Sequence, residues 1–267
     1  MSNFDHSIKK IKMFSADANS IAESFAKVIR EVPLNVNLNG EAYATIACAG
    51  NHLDELAIGF LRSERIITHW DEILKIETAE RENSVNVILK SKKEFPETLN
   101  KNIASSGARG KSINENLLSP LKVTEEFNIS AKVALELMEK LLEKSLLHNE
   151  THGTHCSALA QKEKIIALRE DIGRHNTIDM LGGYALLQKI DLSRAAILTT
   201  GRISSEIVYK VWNLGIPLII SHSAPTTKAI ELLDKADITL IGYVRGGKMN
   251  IYSHERRVKI EGKRNLS

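Results

Sequence analysis

Arginine, histidine, glycine and hydroxyl residues collect four times in the second half of the chain, each time directly after an apolar run of strand length. Lys164-Ile165-Ile166-Ala167-Leu168 leads into Arg169-Glu170-Asp171-Ile172-Gly173-Arg174-His175-Asn176, and Ala195-Ala196-Ile197-Leu198-Thr199 leads into Thr200-Gly201-Arg202-Ile203-Ser204-Ser205-Glu206. Pro217-Leu218-Ile219-Ile220 runs into Ser221-His222-Ser223-Ala224-Pro225-Thr226-Thr227, and Thr239-Leu240-Ile241-Gly242-Tyr243-Val244 into Arg245-Gly246-Gly247-Lys248. Guanidinium groups bind phosphate through two parallel hydrogen bonds, and helix starts offer free N–H groups with partial positive charge. If the strands run parallel, the four clusters share one sheet edge, which reads as a site for a phosphorylated ligand.

Several elements must hold those clusters in place. Helical patterns at Asn176 to Leu187, Ser205 to Asn213 and Thr227 to Ala236 separate the four strands, which predicts a layered α/β sheet with right-handed crossovers. A last strand, Met249 to Ser253, is expected to return antiparallel through a Gly246-Gly247 turn. Ahead of them Ala131, Ala134, Leu135, Met138, Leu141 and Leu142 form one face of a helix that Ser130 caps.

The first half has a different texture. Glu31 to Ile46 alternates around Asn39-Gly40, a two-residue hairpin signal that reads as antiparallel sheet. Asn51 to Leu61 has helical spacing and Val85 to Leu89 reads as a strand, so a small α+β domain is expected. Polar residues, Gly and hydroxyls crowd from Ser91 to Asn116, a connection of the length that is usually functional or mobile. The boundary is placed near Val123, giving an N-terminal domain over residues 1–122 and a C-terminal domain over 123–267.

Of the 267 residues, 43% are hydrophobic and 26% charged, enough for a real core. The net charge of +3 gives no global argument for nucleic acid, so any basic site is local. No run approaches a membrane span and residues 1–30 lack the apolar core of a signal peptide, so a cytoplasmic protein without membrane partners is expected. Cys48 and Cys156 are the only cysteines, which excludes a disulfide framework and a Cys-rich zinc site.

Two further motifs fail on inspection. Gly107-Ala108-Arg109-Gly110-Lys111-Ser112 ends like a P-loop, but Ser105 stands where its first Gly belongs. His155-Cys156-Ser157 is similar to the zinc-binding start of nucleobase deaminases, yet Ser157 replaces the catalytic Glu and no Pro-Cys-x-x-Cys follows, so no bound zinc is expected. Arg202 and Ser204 read either as ligand groups or as a helix cap and a surface pair. His222 faces a ligand or is a packed histidine. In Tyr243-Val244-Arg245-Gly246-Gly247-Lys248, Gly allows close backbone approach, and Arg245 with Lys248 neutralises phosphate from both sides.

Those strings, with Asn39-Gly40, Leu56-Ala57-Ile58-Gly59-Phe60-Leu61-Arg62-Ser63-Glu64 and Gly153-Thr154-His155, resemble the formate dehydrogenase accessory sulfurtransferase family, FdhD, in order along nearly the whole chain. The resemblance implies a three-layer, cytidine-deaminase-like C-terminal domain with a mixed sheet. It implies a homodimeric maturation factor that moves sulfur from a cysteine desulfurase to the molybdenum or tungsten bis(pterin guanine dinucleotide) cofactor, before that cofactor enters apo formate dehydrogenase. GDP is then a fragment of the cargo. By the resemblance Tyr243, Val244, Arg245, Gly246, Gly247 and Lys248 correspond to cofactor-binding residues; the polar junctions and the Gly153-Thr154-His155 match add His155, Arg174, His175, Gly201, Arg202, Ser204, Ser205, Ser223 and Thr226 as candidates. The family's chemistry rests on a Cys-x-x-Cys loop between the domains. Aligned on Gly110-Lys111, that motif falls on Ser106-Gly107-Ala108-Arg109, so Ser106 and Arg109 stand where the two cysteines belong, and neither forms a persulfide. Either this homologue binds cofactor without sulfurating it, or another thiol carries the sulfur. Cys156, beside His155, is the candidate thiol, against the reading that it is a small buried residue; Cys48 reads as core.

Overall fold

The computed structural model describes residues 7–91, 101–103 and 127–260. It opens with a feature absent from the sequence reading, an antiparallel ribbon of β1 (Ile8–Ala16) and β2 (Ile21–Ile29). Next come β3 (Val32–Leu38) and β4 (Glu41–Cys48), joined at Asn39 (φ 53°) and Gly40 (φ 87°). Positive φ at both turn positions matches the twist of the strands, and Asn and Gly adopt it at little cost. Helix α1 (Leu53–Ser63), β5 (Ile73–Ala79), β6 (Ser84–Leu89) and β7 (Lys101–Ile103) complete a five-stranded sheet in the order β5-β6-β3-β4-β7. This sheet is mixed rather than antiparallel as expected. α1 and β5 carry the chain past the hairpin, so β6 lies parallel to β3, and β7 lies parallel to β4.

The second half runs β8 (Ile129–Ser130), α2 (Ala131–Lys144), α3 (Leu146–Thr151), β9 (His155–Gln161), β10 (Lys164–Asp171), α4 (Arg174–Leu187), β11 (Ala195–Thr199), α5 (Ser205–Leu214), β12 (Leu218–Ser221), α6 (Thr227–Ala236), β13 (Thr239–Arg245), β14 (Lys248–Ser253) and β15 (Val258–Lys259). The Ser130 hydroxyl accepts from Val133 N at 3.1 Å and caps α2. One sheet of order β10-β9-β11-β12-β13-β14 forms the middle layer. β11, β12 and β13 are parallel, and β9 is antiparallel to both β10 and β11, so β10 points the same way as those three. The carboxyl ends of all four strands, and the polar junctions that follow them, therefore lie on one edge.

Alternation along the strands builds two cores. Leu159, Ile197, Ile219 and Leu240 pack with residues of α4, α5 and α6 on one face. Ala158, Leu198, Ile220 and Ile241 pack with Leu137, Met138 and Leu141 of α2 on the other. A third core fills the N-terminal sheet, and Met180 and Leu186 of α4 belong to it. α4 is apolar or buried almost all round because it serves both halves: α1 crosses it backbone against backbone. A Cβ at Gly59 would sit 1.7 Å from Asp179 O, and one at Gly183 would sit 1.9 Å from Glu55 O. Buried polar pairs surround this crossing. Lys210 Nζ donates to Asp179 Oδ1 and Oδ2 at 2.5 and 2.7 Å, and Arg169 holds Glu55 through Nε and Nη2 at 2.5 and 2.6 Å. The boundary expected near Val123, and the segment with Ser106, Arg109, Gly110 and Lys111, lie outside the described residues.

Candidate functional site

The four junctions are laced to one another before any ligand is considered. Ser223 Oγ donates to Thr200 O at 2.8 Å, Ser221 Oγ to Gly201 O at 3.0 Å, and His222 N to Thr199 O at 3.0 Å. Tyr243 N reaches Ser223 O at 3.0 Å, and Thr226 N reaches Ile203 O at 2.9 Å. Beneath them Ser157 Oγ lies 2.8 Å from Thr177 Oγ1 and donates to Thr199 Oγ1 at 2.9 Å. The first junction is tied to the N-terminal half: Asp171 Oδ2 accepts from Ala49 N at 2.7 Å, and Asn176 Nδ2 donates to Ala47 O at 2.8 Å. Such cross-bracing fixes loop geometry at the sheet edge.

Two helices open onto the edge without a side-chain cap, α4 at Gly173 and α5 at Ser204. Their first-turn N–H groups and partial positive charge are thus available to an anion. Arg174 lies over Gly201, where an added Cβ would sit 3.0 Å from Arg174 Cβ and 3.1 Å from its Cδ. Arg174 Nε and Ser204 Oγ are buried without a hydrogen-bond partner. Burial and then the charge of Arg202 depress the Arg174 pKa, opposed by Glu206. A guanidinium held beside another, with open donors around it, is the electrostatic form of an anion site.

Beside the arginines a cleft of about 400 Å³ is lined by four histidines, His148, His152, His155 and His222, with Thr154 and Thr200. Burial, followed by Arg174, His148 and Arg202, pushes the His155 pKa down; burial, Arg245 and His148 do the same to His222. Both shifts favour the neutral imidazole in the empty cleft, and negative charge entering it would draw protons onto them. Among the described residues no group of three His, Cys, Asp or Glu is arranged to hold a metal. A larger groove of about 970 Å³ near Arg30, Asp54, Glu80 and Arg81 has mixed charge and suits an anion less well.

The sequence candidates divide by where their side chains lie. Arg174, Arg202, Ser223, His155 and His222 surround the edge, and Arg245 stacks on Tyr243 with its guanidinium carbon 3.5 Å from the ring centroid. Tyr243 holds φ 56°, a left-handed conformation that is unusual for an aromatic residue, at a bulge between β13 and β14. Gly246 and Gly247 take φ 58° and 70° in the hairpin turn, with open space around them, next to exposed Lys248. Other candidates have side chains that make scaffold contacts. Val244 is in the α2-side core, and His175 is buried with Nε2 2.9 Å from Glu206 Oε2. Thr226 Oγ1 accepts from Ala229 N at 3.3 Å and caps α6, while Ser205 begins α5.

For Cys156 the structure agrees with the reading of a small buried residue: its side chain is fully buried, and Sγ donates to Glu170 Oε1 at 3.4 Å. Burial pushes the thiol up to about 12, and the Glu170 charge pushes the same way. His155 is not among the groups that act on this thiol; Ser145 and Thr154 lower its pKa, less than burial raises it. Cys48 is equally buried and also raised to about 12, by burial and then Asp171. The sequence reading overlooked His148 and His152, although His148-x-x-x-His152 followed by His155 places three imidazoles within eight residues.

A family model, the FdhD/NarQ family, matches residues 29–259. The chain belongs to the FdhD/NarQ family. Over 237 residues it is 38% identical to a sulfur carrier protein FdhD of Bacillus pumilus, spanning 87% of this chain and 90% of that one. The FdhD sulfur carrier protein of Bacillus subtilis is 35% identical over 241 residues, with 87% and 90% of the two chains covered. The crystal structure of a formate dehydrogenase accessory protein from Desulfotalea psychrophila superposes with a TM-score of 0.81 at 23% identity, over 95% of this chain and all of that one. That likeness shows a shared fold over nearly the whole chain. No described helix is long and apolar enough to cross a membrane.

Proposed function

We propose that this chain serves formate dehydrogenase maturation by holding the molybdenum or tungsten bis(pterin guanine dinucleotide) as cargo, without carrying sulfur on a thiol of its own. One observation supports this above others: both thiols are buried and held near 12, while the cationic sheet edge is built and open. A persulfide carrier needs an accessible thiolate, and at pH 7 a thiol near 12 is ionised in roughly one molecule in 10⁵. The donor set suits the cargo. Its two pyrophosphates call for several separated donors, which Arg174, Arg202, Arg245 and the open starts of α4 and α5 supply. Arg174 Nε and Ser204 Oγ, buried without partners, are the groups a phosphate would satisfy.

In this reading His155 and His222 take up protons as the anionic arms enter, which strengthens binding without a standing charge in the empty cleft. The C-terminal layering, helices on both faces of a mixed sheet, fits the cytidine-deaminase-like class, with no deaminase carboxylate at Ser157. The partners are a cysteine desulfurase and apo formate dehydrogenase, and the relatives' name of sulfur carrier keeps thiol-borne transfer as the second reading. Calorimetric titration with GDP, paired with desulfurase loading, tests both: GDP binding without sulfur uptake supports the holder, and sulfur uptake supports the carrier.

A further inference from the structure

The histidine cleft carries an acceptor that the phosphate account leaves unused. His148 Nδ1 lies 2.6 Å from Thr154 O, and a carbonyl oxygen only accepts, so Nδ1 carries the hydrogen of that bond. Uncharged, the ring presents Nε2 as a bare lone pair, and no described residue donates to it. The ring is not needed to hold α3 in place. Glu170 of β10 does that, accepting from Leu147 N at 3.1 Å and from His148 N at 2.8 Å. The bond to Thr154 therefore sets the direction of the imidazole and its tautomer. His155 and His222 lie near enough to His148 to feel its charge, and neither ring has a hydrogen-bond partner among the described residues.

Phosphate is the wrong partner for that lone pair. The oxygens of a pyrophosphate diester bring charge and further lone pairs but no proton, so they belong with Arg174, Arg202 and Arg245. Whatever fills the cleft must bring an N–H for His148 and an acceptor for the N–H that each of the other two imidazoles carries. Leu142 and Ile172 add apolar wall, and about 400 Å³ accommodates a fused two-ring system. We infer that the cleft takes the 2-amino-4-oxopyrimidine edge of a flat bicyclic heterocycle, which donates to His148 Nε2 and accepts at its ring oxygen from His155 or His222. The inference rests on the cargo reading above, because the cargo carries this edge on both its pterin and its guanine, each joined to the pyrophosphate that the arginines beside the cleft would bind.

Fluorescence titration of the full chain with pterin and with dimethyllumazine, a bicycle of similar shape whose N–H donors are methylated away, tests this. The wild type is expected to bind pterin roughly 5- to 150-fold more tightly, the cost of leaving one buried hydrogen-bonding group unmatched. In His148→Asn the amide nitrogen stands where Nδ1 was, keeping a donor for Thr154 O, while the Nε2 acceptor is gone; the preference should fall towards one. A purely structural His148 would leave that ratio intact. Equal wild-type affinity for the two bicycles, or a preference that survives in His148→Asn, would overturn the inference. Inorganic pyrophosphate, titrated alongside, separates this failure from the other. Its failure to bind removes the cargo reading and this inference with it, whereas pyrophosphate binding without a preference for pterin removes this inference alone. GDP then tells the two sources apart: pterin and GDP held together assign the cleft to the pterin, and displacement of pterin by GDP shows the guanine taking the same edge site, and both results support the shared edge.

Discussion

Replacing Arg174 by Met separates the two uses an arginine can have. The methionine chain keeps apolar bulk over Gly201, where Arg174 now packs, and removes a guanidinium whose Nε has no partner. No internal hydrogen bond from Nε is lost, and the repulsion from Arg202 disappears, while Glu206 loses an attractive neighbour at the rim. Such surface-type charge terms amount to about 0.2–0.5 kcal/mol each and oppose one another, so folding stability is expected to change by less than about 0.5 kcal/mol. Binding is a different matter. A charge-assisted hydrogen bond to phosphate contributes about 1.5–3 kcal/mol, so GDP affinity is expected to fall roughly 10- to 150-fold. Calorimetry with GDP and a thermal melt on the same preparation measure both. Unchanged affinity would remove Arg174 from the site, and a stability loss above about 1 kcal/mol would make it a structural residue.

Gly59→Ala is expected to destabilise the protein by at least about 2 kcal/mol in a denaturant titration, because its Cβ would be forced against the backbone of α4. Binding of GDP should tighten as pH falls from 7.5 towards 6. His155 and His222, depressed when the site is empty, gain protons alongside phosphate, and calorimetric enthalpies should then vary with buffer ionisation. The buried Asp171 carboxyl is raised by burial from 3.8 to about 6. The folded state holds its proton more tightly than the unfolded one, so this group's destabilisation is full above pH 6 and fades as pH falls from 6 to 4. The melting temperature of wild type relative to Asp171→Asn should accordingly rise over that range; a flat difference would contradict the assigned environment.

Much of this was legible in residue order. The four strand-to-polar junctions were visible because buried strands of Val, Ile and Leu stop abruptly where hydroxyl and Gly residues begin, and their common edge follows once β9 reverses direction between β10 and β11. The Asn39-Gly40 turn and the Ser130 cap are local chemistry and were equally plain. What escaped depends on distant contacts. β1 and β2 alternate poorly, so no period marked them, and α3 is six residues long, too short for helical spacing to show. With α3 went His148 and His152. The burial of Val244 and His175 was not legible from their position in the loops: strand alternation turns Val244 inward, and His175 lies against Glu206 of α5. Cys156 shows the same limit: adjacency to His155 says nothing of direction, and successive residues of a strand face opposite sides.

Sulfur loading of the intact protein tests the central claim most directly. Incubation with a cysteine desulfurase and cysteine, followed by intact-mass measurement, should give no adduct of about 32 Da, the mass of one added sulfur atom, on protein that still binds GDP. An adduct of that mass, lost in Cys156→Ser or in Cys48→Ser, would show that a buried thiol is exposed and activated during turnover, and the holder account would give way to thiol-borne sulfur transfer.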